Sequence, residues 1–583
     1  MKCHNGSDGC QLSSFKSTRA RSSSLSRDFA PGKSCRMRSA THTSQRFILR
    51  ALALMGSAVV LVWTGAAQAN GPGEPPERLF LQQVGSKSAT VKWRGGDADR
   101  VCYSKWPFLL KFPWWSRCVS AEETDGGHME ARLRHLRPDR RYFYILGDPG
   151  PGVVDFEQRF KTAPRSNRAP RDGNTRIWLI GDSGTQTEQN PFTGEFTHLG
   201  EAEEVKQGYL TYNDNHGQED VDLFVLLGDN AYLEGTDAQW QGGFFDIYPN
   251  IMNKAAVWPT IGNHEMGGDC FDLSAFIGLP PGSFFTFLGG TTNFSDPLLY
   301  NGGPADCSSG GPVPGPDGSG PPYLGIFSLP AAGEQGGVPS GTEQYYSMNY
   351  ANVHLVSLDA QLTNADDDQR AAMRDWLVAD LSSNRRDWTI VIFHHPPYSK
   401  GENHNSDSEQ REIDMREVFT PVFEDHGVDV VYGGHAHSYE RSYYLNGHQG
   451  MSETFDPNVH AELNQIGEPA IGQGNETYSQ VSPGSGADDK VVYTVAGSSG
   501  KADEFDPCPV DPETGEEPQM GCTRSDWLLH PAHYFSVAEK GSVVVDATRR
   551  KLTSRFIDVN GEVVDEFTID RGRRYRHRHR HDD

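Results

Sequence analysis

The chain reads DLFVLLGDNAY from Asp222 to Tyr232, an apolar run followed directly by glycine, a carboxylate and a tyrosine. A short run rich in branched and aromatic residues is typical of a buried β-strand. The glycine after it lets the backbone turn sharply, and polar residues at the C-terminal ends of sheet strands are where α/β layers collect their sites. This stretch therefore predicts a functional site at the edge of a buried sheet.

Four other stretches repeat this arrangement, each with an apolar run leading into a polar motif. The motifs are GDSG at 181–184, GNHE at 262–265, VIFH at 391–394 and GHAH at 434–437. With the first stretch, they supply seven candidate ligands: Asp182, Asp229, Tyr232, Asn263, His394, His435 and His437. Three hard oxygens, one amide and three imidazoles suit a pair of first-row metal ions better than a single structural zinc.

The five motifs, in this order, resemble the metallophosphoesterase family and, within it, the larger, plant-like purple acid phosphatases. The tyrosine of GDNAY marks that branch of the family. The resemblance implies a dinuclear centre, with Fe(III) held by Asp182, Asp229, Tyr232 and His437. The second ion, Fe(II), Zn(II) or Mn(II), would be held by Asp229, Asn263, His394 and His435. A phenolate bound to ferric iron is coloured, so the resemblance also implies a purple protein.

The expected activity is hydrolysis of phosphomonoesters, with a metal-bound hydroxide attacking phosphorus. His264 matches the family's substrate-contacting histidine, and His404 matches the spacing of its second outer histidine; such groups donate a proton to the leaving oxygen. A phosphodiesterase or nucleotide hydrolase on the same fold is the closest alternative. A surface binding protein with a vestigial metal site is another, although the complete set of seven candidate ligands argues against it.

Three residues beside the motifs have two interpretations each. His395 adjoins His394, and either supports the ligands or is structural. Glu265 and Glu440 either orient ligands or are ordinary surface carboxylates.

The expected fold is an α/β layered metallophosphoesterase domain, a β-sheet sandwich flanked by helices, over residues 175–570. Helical spacing predicts crossover helices at 366–381 and at 408–426, where Pro421 would kink or split the second. Residues 88–93 alternate with period two, and residues 136–144 resemble the strand entry and tyrosine corner of a fibronectin type III-like sandwich, so 75–164 is expected to be an all-β domain of that kind before the catalytic domain. A polar, proline-containing linker at 165–174 is expected between them.

Two other segments differ in composition from the predicted domains. Met266–Glu343 is rich in Gly, Pro and Ser, and is expected to be either a disulfide-stapled surface excursion or a lid over the site. Residues 571–583 are rich in Arg and His, which predicts a disordered tail.

Residues 1–69 form the predicted leader. A basic flank at 46–50, an apolar core at 51–62 and Ala67-Gln68-Ala69 predict a signal peptide cut before Asn70. A start at Met37 would give a signal peptide of ordinary length, and an anchored N-terminal helix is the alternative to a signal peptide. We expect a secreted or periplasmic protein without stable membrane insertion, because the apolar run is short for a span.

Cysteine usage points to the same compartment. Six cysteines follow the predicted cut: Cys102, Cys118, Cys270, Cys307, Cys508 and Cys522. Pairing in sequence order is plausible in an oxidising compartment, although six cysteines formally allow fifteen pairings.

The net charge of −25 at pH 7 limits the kinds of molecule that the protein is expected to bind. The leader is itself basic, so the remaining chain is more acidic still. Such a surface repels nucleic acid, and we expect small phosphorylated substrates and no nucleic acid as partners. No pattern in the sequence indicates an oligomeric state.

Overall fold

A computed structural model describes most of the chain after residue 75. The described residues are 76–150, 155–165, 170, 173–184, 187–189, 196–198, 201–218, 220–232, 235–266, 321–363, 367–400, 404–480, 490–503 and 530–572. The predicted leader, the four cysteines from Cys270 to Cys522, most of the Met266–Glu343 segment and residues 573–583 lie outside them. Within the described ranges, no helix is both long and apolar enough to cross a bilayer.

The N-terminal region is built from strands, as predicted for a fibronectin type III-like sandwich. Its strands are β1 (Glu77–Gln82), β2 (Ala89–Arg94), β3 (Arg100–Ser104), β4 (Arg117–Ser120), β5 (Glu122–Thr124), β6 (His128–Leu133), β7 (Arg141–Leu146) and β8 (Arg159–Lys161). One sheet has the order β4-β3-β7-β8, and β1, β2, β6 and β5 lie side by side in another. A tyrosine corner is present, because the Tyr142 hydroxyl accepts a hydrogen bond from the Arg137 backbone N–H at 2.9 Å. Cys102 and Cys118 form a disulfide, which confirms one of the sequential pairs.

The following region alternates strands and helices, as the sequence predicted. Its described elements are β9 (Asn174–Ile180), β10 (Thr187–Gln189), β11 (Phe196–His198), α1 (Glu201–His216), β12 (Leu223–Leu226), α2 (Asp237–Trp240), α3 (Pro249–Met252), β13 (Ala256–Pro259), α4 (Pro322–Ile326), β14 (Tyr346–Tyr350), β15 (Val353–Ser357), α5 (Asp367–Ser383), β16 (Trp388–Ile392), α6 (Gln410–Asp414), α7 (Thr420–Asp425), β17 (Val430–Gly433), β18 (Tyr439–Leu445), α8 (Pro457–His460), β19 (Tyr478–Ser479), β20 (Val491–Ala496), β21 (His533–Val537), β22 (Gly541–Thr548), β23 (Lys551–Asp558) and β24 (Val563–Asp570).

Two large mixed sheets carry the five motif strands. One runs β19-β24-β23-β22-β9-β12-β13, and the other runs β14-β15-β16-β17-β20-β18-β21. Strands β9, β12 and β13 are parallel neighbours in the first sheet, and β16, β17 and β20 are parallel neighbours in the second. Buried hydrogen bonds join the sheets, such as Tyr432 Oη to Ser554 Oγ at 2.9 Å and Thr175 Oγ1 to Asn352 Oδ1 at 2.8 Å. This arrangement confirms the predicted sandwich of sheets.

The N-terminal strands continue the first catalytic sheet rather than standing apart from it. β1 pairs in parallel with β13 at Leu81 and Ala256, so β1, β2, β6 and β5 extend that sheet. The buried Arg78 guanidinium donates to Asp237 Oδ1 at 2.7 Å, and Tyr144 Oη donates to the Asn253 carbonyl at 2.8 Å. These contacts join the two regions on either side of the predicted linker, and the division at 75–164 and 175–570 remains a prediction.

The two predicted crossover helices are present. α5 buries Met373, Trp376, Leu377 and Leu381, the face that the spacing indicated. The second is interrupted as Pro421 suggested: a π-helical turn at Met415–Phe419 separates α6 from α7, whose first turn contains the proline. Proline has no N–H for the helical ladder, so a local widening of the helix is the expected response.

Arg571 departs from the prediction of a disordered tail. Its Nε donates to Gln480 Oε1 at 2.8 Å, and its guanidinium lies 4.5 Å from the centre of the Trp388 ring. Composition alone placed it in the tail, but these packing contacts hold it against the fold.

Candidate metal centre

The predicted ligands all lie just beyond the C-terminal ends of their strands. Asp182 follows β9, Asp229 follows β12, Asn263 follows β13, His394 follows β16, and His435 and His437 follow β17. All are buried except Asn263, which is half-buried. Parallel neighbouring strands align these ends within each sheet, and the packing of the two sheets brings the two groups of motifs together.

Three of these residues have left-handed backbone conformations. The φ angles are 53° at Asp182, 52° at Asp229 and 71° at His435. Such conformations cost non-glycine residues about 1 kcal/mol or more, and they persist where surrounding contacts enforce them. Here the His435 N–H donates to Asp182 Oδ2 at 2.9 Å, and the Asp182 N–H donates to the Gly228 carbonyl at 3.0 Å.

The donor atoms converge on two neighbouring points. Around the first, Tyr232 Oη lies 3.0 Å from Asp182 Oδ1, 3.2 Å from Asp229 Oδ2 and 3.4 Å from His437 Nε2. Around the second, His394 Nε2 lies 3.0 Å from Asp229 Oδ2 and 3.1 Å from Asn263 Oδ1.

His435 belongs to the second point. Donor atoms of Asp229, His394 and His435 all lie within 4.8 Å of one another. Asp229 is common to both points, so its carboxylate is placed to bridge two cations.

Glu265 holds the backbone of Asp229 and of its neighbours in place. Its buried carboxylate accepts hydrogen bonds from the backbone N–H groups of Asp229 at 2.7 Å, Asn230 at 2.7 Å and Gly262 at 2.8 Å. Burial and the nearby Asp229 charge raise the pKa of Glu265 to about 7. Of the two interpretations of Glu265, the surface carboxylate is wrong, because this side chain holds the turns of two motifs.

Glu440 and His395 are buried as well. Glu440 Oε1 accepts from Ser438 Oγ at 2.8 Å and from Ser399 Oγ at 3.2 Å, so it is not a surface carboxylate either. The His395 ring packs 4.1 Å from the His435 ring, and burial with the neighbouring His435 lowers the pKa of His395 well below its ordinary value. His395 is therefore a neutral packing partner of a candidate ligand.

The electrostatics of the cluster fit cation binding. Burial raises the pKa of Asp182 well above its ordinary value, and the Asp229 charge adds to this. Burial opposes ionisation of Asp229 too, but His394 and His264 lower its pKa below the ordinary range. Against the effect of burial, Asp229 and Asp182 raise the pKa of His394 to about 10. Two buried carboxylates thus draw positive charge to this point, and a metal cation would supply it.

The two candidate catalytic histidines flank the cluster on different sides. The His264 N–H donates to Asp229 Oδ1 at 2.9 Å, and its ring lies 4.1 Å from the Tyr232 ring. The His404 ring lies 3.7 Å from the His435 ring and 6.0 Å from the His437 ring. Both side chains are half-buried, so a molecule from solvent can contact them.

Sequence reasoning missed three residues at the site, Glu409, Lys501 and Asp503. Glu409 Oε1 lies 3.1 Å from His404 Nδ1 and its Oε2 lies 2.9 Å from His435 Nε2, so one carboxylate orients both rings. Burial opposes ionisation of Glu409, but hydrogen bonds from both histidines lower its pKa below the ordinary range. Its position in a loop before α6 carries no motif that could have identified it.

Lys501 and Asp503 lie beyond β20, the parallel neighbour of β17. Asp503 Oδ1 lies 2.9 Å from His437 Nδ1, and Lys501 Nζ lies 4.9 Å from the centre of the Tyr232 ring. Burial lowers the pKa of Lys501, and nearby carboxylates, Asp182 first, oppose that shift. The strand-end rule that identified the other motifs could have identified these two residues had β20 been recognised.

Comparisons with known proteins agree with this geometry. Residues 175–439 match the model of the family described as calcineurin-like phosphoesterase. Purple acid phosphatase 15 of Arabidopsis thaliana is 25% identical over 344 residues, which are 55% of this chain and 50% of the relative. Purple acid phosphatase 21 of the same plant is 32% identical over 377 residues, 63% of this chain and 66% of the relative. The chain thus spans about half the length of the first relative and nearly two thirds of the second.

A solved structure shares the fold. A purple acid phosphatase from yellow lupin (Lupinus luteus) seeds superposes with a TM-score of 0.53 at 16% identity, covering 85% of this chain and 74% of that one. Residues 175–439 thus match the calcineurin-like phosphoesterase family, and the chain is similar in sequence to purple acid phosphatases over part of its length.

Proposed function

We propose that the chain is a dinuclear-metal acid phosphatase that hydrolyses small phosphomonoesters outside the cytoplasm. The observation that carries this proposal is the convergence of seven donor side chains on two points that share Asp229. The purple acid phosphatase relatives support the reaction class. The Cys102–Cys118 disulfide supports a secreted or periplasmic location, because such bonds persist in oxidising compartments.

The ligands would divide into two sets. Asp182, Asp229, Tyr232 and His437 would hold Fe(III), while Asp229, Asn263, His394 and His435 would hold Fe(II), Zn(II) or Mn(II). When bound, such a pair of cations polarises a phosphoryl oxygen and lowers the pKa of water.

The surrounding residues orient each candidate imidazole toward the centre. His394 Nδ1 lies 2.8 Å from the Leu227 carbonyl, which directs its Nε2 to the centre. Asp503 holds Nδ1 of His437, and Glu409 holds Nε2 of His435. Burial also lowers the pKa of His435 to about 3, so this ring is neutral. Neutral rings with the outward nitrogen engaged are the usual state of metal-binding histidines.

His404 and His264 have different roles in this proposal. Glu409 accepts a hydrogen bond from Nδ1 of His404, so the doubly protonated imidazolium of His404 would give its Nε2 proton to the departing alkoxide. His264 sits against Tyr232 and Asp229, where its ring contacts the phosphate of a bound substrate. The half-buried position of both rings lets them meet substrate from solvent.

The test is product release from matched aryl phosphate monoester and diester substrates by the chain beginning at Asn70. We expect preference for the monoester, loss of turnover in Asp229→Ala, and a decrease of about 10²–10³-fold in kcat in His264→Ala, because its ring would contact the phosphate. His426→Gln, a change remote from the motifs in the turn after α7, is the matched histidine control and should behave as wild type.

The other results of this test have distinct meanings. Preference for the diester would replace the proposal with the phosphodiesterase alternative. No turnover of either substrate with both metals bound would replace it with the binding-protein alternative.

A further inference from the structure

The loop between β3 and β4 exposes a cluster of large apolar rings. We call residues 103–117 the aromatic loop; it reads YSKWPFLLKFPWWSR. Its exposed rings have these exposed fractions: Trp106 61%, Phe108 56%, Phe112 43%, Trp114 77% and Trp115 62%. Among the described residues, the other exposed large apolar side chains include a single aromatic ring and are Phe156, Met451, Val459, Leu463, Ile466 and Val563. Contiguous apolar exposure on a folded surface marks an interaction site.

The aromatic loop is anchored, so this exposure belongs to the folded state. Cys102 and Cys118 face each other across β3 and β4 and form the disulfide at its base. Leu110 points inward and packs with Cys102 and Ile145 in a small buried cluster.

Turns inside the loop hold the rings outward. Three backbone hydrogen bonds, each between residues three apart, form these turns. The Leu109 N–H donates to the Trp106 carbonyl at 3.0 Å, the Phe112 N–H to the Leu109 carbonyl at 3.1 Å, and the Trp115 N–H to the Phe112 carbonyl at 3.1 Å. Neighbouring rings also pair, with Trp106 and Phe108 centred 6.5 Å apart and Phe112 and Trp114 centred 6.1 Å apart.

The charge of the aromatic loop is opposite to that of the chain. It contains Lys105, Lys111 and Arg117 and no Asp or Glu, while the whole chain has a net charge of −25. Burial lowers the pKa of Lys105, and the positive charges of Arg137, Arg140 and Arg117 lower it further. A protein that gathers cations and exposed rings on one surface of an otherwise acidic molecule presents that surface to an anionic, partly apolar partner.

We propose that the aromatic loop docks the protein peripherally on a lipid bilayer that contains anionic headgroups. Tryptophan and phenylalanine rings favour the boundary between headgroups and acyl chains, and Lys and Arg are attracted to anionic lipids. Long basic side chains at the edge of such a patch keep their charges among the headgroups while their stems cover apolar surface. This docking requires no membrane-spanning helix and is independent of the proposed phosphatase activity.

A carbohydrate is the other natural partner of exposed tryptophans, and the loop fits it less well. Sugar hydroxyls are bound by carboxylate and amide side chains beside the ring, and residues 103–117 contain neither. The two serines of the loop bond its own backbone: Ser104 Oγ accepts from the Trp106 N–H at 3.3 Å, and Ser116 Oγ donates to the Phe112 carbonyl at 3.1 Å. The loop surface therefore offers apolar groups and cations, which match a lipid interface.

Vesicle co-sedimentation of the full chain tests the proposal, with residues 1–69 common to every variant. Wild type should bind vesicles of phosphatidylcholine with phosphatidylglycerol more tightly than vesicles of phosphatidylcholine alone. The double variant Trp114→Ser, Trp115→Ser should weaken binding at least about tenfold, because bound apolar area is lost. Lys111→Gln with Arg117→Gln should weaken binding to the anionic vesicles about 25-fold, about fivefold for each charge. The control pair Val459→Ser, Ile466→Ser removes equally exposed apolar residues elsewhere and should bind as wild type.

Hydrogen–deuterium exchange localises the contact. Backbone exchange across residues 103–117 should slow when anionic vesicles are added, and all variants should keep wild-type Tm and wild-type turnover of a soluble aryl phosphate. The proposal is overturned if vesicles leave exchange across 103–117 unchanged. Protection of the loop by soluble oligosaccharides, or by concentration-dependent self-association, without protection by vesicles would overturn it as well.

Discussion

Replacing Glu409 by glutamine is expected to lower kcat/KM about thirtyfold while leaving the fold intact. One carboxylate orients both a candidate metal ligand and the candidate proton donor, with 2.9 Å from its Oε2 to His435 Nε2 and 3.1 Å from its Oε1 to His404 Nδ1. Glutamine has the same shape but is neutral, and its amide nitrogen donates where the carboxylate accepted. The change therefore weakens both contacts without creating a cavity.

The magnitude follows from these two hydrogen bonds. A hydrogen bond to a charged group contributes about 1.5–3 kcal/mol, and one between neutral groups about 0.5–1.5 kcal/mol. Losing the charge at both bonds removes about 2 kcal/mol in total, and each 1.36 kcal/mol of barrier is tenfold in rate. The result agrees with the 10–100-fold losses usual when the outer partner of a metal-bound histidine is changed.

The assay is steady-state hydrolysis of an aryl phosphate monoester, with metal content measured on the same preparations. Glu417→Gln is the matched control, since Glu417 lies close in the chain, on the π-helical turn, and is exposed. A Glu409→Gln protein within twofold of wild type in both kcat/KM and metal content would refute the assigned role of Glu409.

Three further predictions concern Lys501, Asp407 and Arg441. Lys501 Nζ lies 4.9 Å from the centre of the Tyr232 ring, so its positive charge opposes the transfer of electron density from that ring to ferric iron. Lys501→Met should therefore move the visible absorption band of the loaded protein to longer wavelength. An unshifted band would contradict this prediction. Burial opposes ionisation of Asp407, but Ser452 and Lys400 lower the pKa of its carboxyl group from 3.8 to about 2. The ionised carboxylate therefore stabilises the fold above about pH 4, and this stabilisation is lost as the pH falls toward 2. Asp407→Asn should therefore lose ~1 kcal/mol of unfolding free energy at pH 6, after allowance for solvent screening, with a smaller difference from wild type at pH 2, measured by urea denaturation. Arg441 and Asp565 form a buried ion pair, with 2.6 Å from Arg441 Nε to Asp565 Oδ2 and 2.9 Å from the second guanidinium nitrogen to Oδ1. Arg441→Met should lower the free energy of unfolding by about 3–5 kcal/mol, because it leaves the Asp565 charge buried and unpaired. A loss below about 1 kcal/mol in urea denaturation would argue against a stabilising role of that pair.

The location of the site could be predicted because its signal is local. Each candidate ligand follows an apolar run directly, as Asp229 follows β12 and His394 follows β16, so the strand and its polar end appear in one short stretch. The parallel pairing of neighbouring strands brings those ends together within each sheet, whereas the packing of the two sheets, which joins the two groups of motifs, is recorded in no short stretch of sequence.

The residues around the site could not be predicted in the same way. Glu409 and Lys501 reach it through loop conformation, which depends on tertiary contacts that no short pattern records. The N-terminal strands join the sheet of β9, β12 and β13 through one strand pair, β1 with β13. These two segments are far apart in sequence, so no short pattern predicts that they pair. The role of Glu265 could not be predicted either, because a charged residue in a loop is usually exposed. Only the structure shows that its carboxylate is buried and accepts hydrogen bonds from three backbone N–H groups.

The number of metal ions bound per chain tests the central claim most directly. Elemental analysis of the purified protein should find two transition-metal ions per chain, and Asp229→Ala should lose both together with monoester hydrolysis, because its carboxylate lies at both points of the cluster. Full activity with a single ion, or two ions retained in Asp229→Ala, would contradict the dinuclear centre.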